Sequence, residues 1–100
     1  MKLTERQKKH LRREAHAMKP LLSLGDKGIT DTFLVELNST LEHHELIKIK
    51  IRAGDREARD QAVSEIAEKM GAVLISRVGN IATLYRQREK DPRITLPPPG

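Results

Sequence analysis

The sequence predicts a single α/β domain, a mixed sheet of about four strands with helices on at least one face. Three observations carry that prediction. A length of 100 residues suits one domain with one core. Apolar spacing switches repeatedly between helical and strand periods along the chain. Proline, glycine and capping residues fall between the periodic segments, where the elements should begin and end.

Thr4-Glu5-Arg6-Gln7 has the form of a capping box at a helix start. That helix should run to about Met18, because Pro20 disfavours helical geometry at Lys19. Its apolar stripe is narrow, Leu11, Ala15 and Met18, so Lys8, Lys9, Arg12, Arg13 and His16 occupy a wide cationic surface. Pro20 to Leu24 reads as a short buried strand ended by glycine. After Gly25-Asp26-Lys27-Gly28, Thr30 caps a second helix with Asp31 in its first turn and Phe33, Leu34, Leu37 and Leu41 inward.

Leu46 to Arg52 alternates, with Ile47, Ile49 and Ile51 on one face and Lys48, Lys50 and Arg52 on the other. Asp55 caps a third helix that buries Ala62, Val63, Ile66, Ala67 and Met70 and stops at Gly71. Ala72 to Val78 and Ile81 to Arg86 form two strands joined by the hairpin pair Gly79-Asn80. These elements define a domain over residues 1–86. Residues 87–100 are charged and then proline-rich, and read as a poorly ordered tail or, less simply, a proline ligand.

The net charge of +5 is concentrated at one end. Met1 to Gly28 holds eight basic side chains against Glu5, Glu14 and Asp26, whereas the remainder is balanced at eleven of each sign. Such asymmetry fits a polyanion partner, although a merely solvated basic helix would look the same. Two glycines at Gly25 and Gly28 let the backbone turn sharply and approach a ligand, and the following helix start offers free N–H groups and positive dipole. Lys27 adds a cation. This GxxG arrangement is how KH-type domains clamp a nucleic-acid backbone, but a plain strand-to-helix turn uses the same residues, and both readings stay open here.

Other chemistries find little support. With no cysteine there is no disulfide framework, thiolate metal site or cysteine nucleophile. His10 and His16 lack metal-ligand spacing, and His43 and His44 suit the negative end of a helix. No serine has a nucleophile-elbow context, and the P-loop and dinucleotide fingerprints are not matched. We therefore expect no catalytic site, metal, cofactor or small-molecule substrate. The charged N-terminus and the lack of a long apolar run point to a cytoplasmic protein without membrane association. Phe33 belongs to a buried stripe, which leaves Tyr85 as the sole aromatic for base stacking; contacts should be mainly electrostatic and shape-based.

Leu11, Ala15-His16, Lys19-Pro20-Leu21, the glycines at 25 and 28, His43-His44-Glu45-Leu46-Ile47-Lys48-Ile49-Lys50, Gly79 and Leu84-Tyr85-Arg86 occur in that order. Together they resemble the CRM domain, specifically the short bacterial YhbY-type RNA-binding proteins, over Leu3 to Arg86. The resemblance implies a fold similar to the C-terminal domain of translation initiation factor three. It also implies a role in ribosome biogenesis, through ribosomal RNA or precursors of the large ribosomal subunit. Asp26 departs from the pattern, standing where many relatives have a basic or neutral residue. The residues expected to meet RNA are Gly25, Asp26, Lys27, Gly28, Lys8, Lys9, Arg12, Arg13 and Lys19, with Lys48, Lys50, Arg52 and Arg86 as further candidates. The alternative is a protein–protein module docking on an acidic partner.

Overall fold

The computed structural model describes residues 2–52 and 54–99. Its elements, in chain order, are α1 (Glu5–Ala15), β1 (Leu22–Leu24), α2 (Asp31–His44), β2 (Leu46–Ile51), α3 (Arg56–Met70), β3 (Val73–Val78) and β4 (Ile81–Tyr85). The domain is α/β with a four-stranded mixed sheet, as the sequence predicts. Helix starts follow the capping residues closely. The Thr4 hydroxyl accepts the Gln7 N–H at 3.2 Å while the Gln7 side chain accepts the Thr4 N–H at 3.0 Å, completing the box. Thr30 and Asp55 cap α2 and α3 by accepting N–H bonds from Phe33 and Ala58.

The strands lie in the order β1-β2-β4-β3. β1 runs parallel to β2, whereas β4 is antiparallel to both of its neighbours. The last strand of the chain therefore slots between β2 and β3, and the β2-α3-β3 crossover spans a strand. Side-chain alternation then divides two apolar clusters. Ile47, Ile49, Ile51, Ala82 and Leu84 face α2 and α3, where they meet Phe33, Leu37, Leu41, Val63 and Ile66. Leu46, Ile75 and Tyr85 face the other way, against Leu3, Leu11 and Ala15 of the α1 region. Full burial of each isoleucine of β2 contributes about 1.5–3 kcal/mol, which fixes its register, since a slip of one residue would expose all three.

Three expectations need correction. α1 ends at Ala15 and not near Met18; His16 caps it and Met18 lies beyond, only partly packed. β1 is an edge strand of three residues in which Leu24 alone is buried, and Leu21 is 47% exposed. Tyr85 is fully buried under α1 and offers no ring to a nucleobase. In the last segment Ile94 and Leu96 pack on the α1 cluster, and the Gln7 side chain donates to the Pro97 carbonyl at 3.1 Å.

Candidate nucleic-acid interface

Gly25 to Gly28 closes as a tight turn, with the Gly28 N–H donating to the Gly25 carbonyl at 3.0 Å. Asp26 and Lys27, at its tip, are exposed. Gly28 has φ +73, a left-handed conformation that glycine adopts without steric cost. Gly25 needs no such freedom, and a Cβ built there would meet nothing within 4 Å. Its small size thus leaves space beside the backbone instead of enabling the turn. The loop sits at the end of the sheet where the Arg52 N–H donates to the Leu24 carbonyl at 2.8 Å, so Arg52 adjoins Gly25.

α1 covers only part of the second sheet face. Its buried stripe of Gln7, Leu11 and Ala15 rests over Leu46, Ile75 and Tyr85. Arg12 donates to the Ile75 carbonyl at 3.4 Å, and Lys48 reaches the His16 carbonyl at 3.5 Å. Beyond that contact, half-buried Lys50 and exposed Arg52 continue along the same face of β2 toward the loop. Between the end of α1 and the β3–β4 hairpin lies a cleft of about 500 Å³.

The expected cations are thereby sorted into two groups. Arg12, Lys48, Lys50 and Arg52 run from α1 across the uncovered sheet to the GxxG turn. Lys9 and Arg13 lie on the other flank of α1, beside Arg6, His10 and Pro97. Lys8 is half-buried and within 3.9 Å of Glu5, which also approaches Arg12; pairs so long and so exposed hold their charges weakly. Lys19 is exposed in the link between α1 and β1.

Arg86 is committed elsewhere. Its guanidinium donates to the Asn38 side chain and carbonyl at 2.9 and 3.1 Å and to the Met70 carbonyl at 3.1 Å, and it pairs with Glu42 at 3.3 Å. It ties the end of β4 to α2 and α3, a structural task that leaves no free fork for a phosphate. The opposite layer is net acidic: α2 carries Asp31, Glu36 and Glu42 with no lysine or arginine, and α3 carries Arg56, Arg59 and Lys69 against Glu57, Asp60, Glu65 and Glu68. Among the described residues, no three His, Cys, Asp or Glu side chains gather as a metal site, and no helix is long and apolar enough to cross a membrane.

Sequence reasoning missed the cleft itself and the part played by Glu45. Alternation does place Ile81, Thr83 and Tyr85 on one strand face, but only the pairing of Lys48 with Thr83 brings that face beside the cations of β2. Glu45 is fully buried at φ +65, and its carboxylate accepts N–H bonds from Arg88, Arg93 and Ile94.

A small α/β domain with a glycine turn and cations on one side of its sheet defines a class of compact nucleic-acid-binding modules. The chain belongs to the CRS1 / YhbY (CRM) domain family, which it matches over residues 3–86. It is 37% identical over 95 residues to an RNA-binding protein of Haemophilus influenzae, covering 95% of both chains. A Pseudomonas aeruginosa protein named as a probable RNA-binding protein is 34% identical over 90 residues, covering 90% of this chain and 86% of the relative. The solution structure of a hypothetical protein from Staphylococcus aureus superposes with a TM-score of 0.82 at 28% identity, covering 96% of this chain and all of that one.

Proposed function

We propose that this protein binds structured RNA in the cytoplasm and serves, without catalysis of its own, in assembly of the large ribosomal subunit. The observation that carries this reading is the one-sided charge. Arg12, Lys48, Lys50 and Arg52 share the α1 side of the sheet, while α2 on the other side is acidic. A polyanion is drawn to one face and turned away from the other. The GxxG turn supplies close backbone approach and Lys27 a phosphate partner, with Arg13 and Lys9 widening the attractive surface. The relatives named for RNA binding support this choice of polyanion.

The test is RNA affinity across a salt series for the wild type and a Lys27→Ala, Arg12→Ala, Arg13→Ala variant. Removing one phosphate-binding cation should flatten the log–log slope by roughly 0.7–0.9. Unchanged affinity and slope would remove these residues from the interface. Co-sedimentation with large-subunit precursors, abolished by nuclease, is the expected companion result; binding that survives nuclease would favour a protein partner.

A further inference from the structure

The cleft between α1 and the β3–β4 hairpin has a chemistry that simple phosphate attraction does not use. Its apolar part is Val78, 77% exposed, and half-buried Ile81 at the start of β4. Ser76 and Thr83, paired across the hairpin, add hydroxyls. Arg12 and Lys48 provide cations at the α1 side, and no carboxylate lines the space.

We propose that this cleft receives one unstacked nucleotide from a single-stranded segment of the bound RNA. A nucleobase has apolar faces and polar edges, so it matches a site with an aliphatic wall and hydroxyls that donate or accept. Ser and Thr are suited to either kind of base edge. The phosphate attached to that nucleotide meets Arg12 and Lys48, whose charges have no acidic competitor within the cleft. A space of about 500 Å³ is within the range of small-ligand sites, roughly 300–1,000 Å³. Charge favours this occupant over an apolar peptide, since Val78 would be covered equally well by either but the neighbouring cations would be stranded. The site also suits a domain without an exposed Phe, Tyr or Trp among its described residues: aliphatic contact and hydroxyl bonding, beside the exposed His16 imidazole that also lines the cleft, take the place of stacking on such rings.

The inference rests on the RNA-binding reading, and one experiment separates the two. Wild type and a Val78→Ser, Thr83→Val variant are titrated with a labelled single-stranded RNA of mixed sequence and with a blunt RNA duplex of equal length. The substitutions leave net charge unchanged, so general phosphate attraction persists. The expected result is about tenfold weaker single-strand binding with duplex binding held within about threefold. Equal affinities for variant and wild type, or parallel loss on both RNAs, would overturn the cleft as a nucleotide site while leaving RNA binding intact. Failure of the wild type to bind either RNA would overturn both readings. Amide shifts at Ser76, Val78 and Thr83 in the unaltered protein give an independent readout: they should move on adding the single strand and stay still with the duplex. Amides that ignore the single strand would sink the proposal even if the variant failed to fold.

Discussion

The Glu45 carboxylate accepts the backbone N–H of Arg93 at 2.7 Å across a separation of 48 residues. The same oxygen takes the Ile94 N–H at 2.9 Å, and its partner oxygen takes the Arg88 N–H at 2.9 Å. Three donors around one buried carboxylate satisfy a charge that would otherwise be costly to bury. They also offset the backbone strain of a non-glycine residue at φ +65, a cost of about 1–3 kcal/mol. Through these hydrogen bonds the last segment is held where Ile94 and Leu96 can cover the α1 cluster.

Glu45→Ala should therefore destabilise the domain by about 2–4 kcal/mol, because three partly buried N–H groups lose their acceptor together. Denaturant unfolding measures the loss. Hydrogen exchange locates it, with the Arg88, Arg93 and Ile94 amides becoming the first to exchange. Retained protection at those amides would show that the last segment is held by apolar packing alone.

Arg86 provides a test that separates structure from RNA binding. Arg86→Lys keeps the charge but loses the fork that spans Asn38 and the Met70 carbonyl. We expect a stability loss of about 1–2 kcal/mol and an RNA salt slope equal to that of the wild type. A shallower slope at unchanged stability would return Arg86 to the interface.

The Arg86 and Glu45 cases also show where the sequence stops being legible. Elements with local causes can be read directly: the box at Thr4 and Gln7, the caps at Thr30 and Asp55, the αL stop at Gly71, and the alternation of β2. The apolar run Leu21 to Leu24 looks buried throughout, whereas β1 as an edge strand needs only alternate positions covered. Arg86 and Glu45 each act across at least 16 residues, and nothing local distinguishes them from surface charges. Ile94 and Leu96 are two apolar residues in a charged, proline-rich stretch, too few to signal an ordered segment. For the interface, the turn and the α1 cations are visible as residue types. Which cations share a face depends on β4 pairing with β2, a long-range event that periodicity does not encode.

The two glycines of the turn should respond differently to alanine. At Gly28, with φ +73, a side chain is strained, and Gly28→Ala should cost about 1 kcal/mol or more of stability. At Gly25 the added methyl meets open space and no positive φ is required, so Gly25→Ala should unfold as the wild type does. If a phosphate sits against that backbone, the same methyl still stands in its way. The expected outcome is weaker RNA binding at unchanged stability, measured by paired titration and thermal unfolding. Wild-type affinity in Gly25→Ala would mean that the RNA passes the turn at a distance and that Lys27 alone reaches it.

Tyr85 gives the clearest pH prediction. Its hydroxyl is buried without a hydrogen-bond partner among the described residues. Burial first, and then the negative charge of Glu45, push its pKa above the ordinary 10.0. The folded protein therefore keeps this proton at pH values where the unfolded chain has released it. Below about pH 10 both states are protonated and the group leaves stability independent of pH; above it the unfolded state gains by ionising and stability falls until the folded-state pKa is passed. As the chain has one tyrosine and no tryptophan, tyrosinate absorbance reports Tyr85 alone, and its midpoint should lie above the ordinary value. Tyr85→Phe removes both the unpartnered hydroxyl and the titration. It should match or exceed wild-type stability at neutral pH, by up to about 1 kcal/mol, and decline less steeply on the alkaline side. An alkaline limb just as steep in Tyr85→Phe would assign that loss to other groups, and a midpoint at or below the ordinary value would show the ring to be open to solvent.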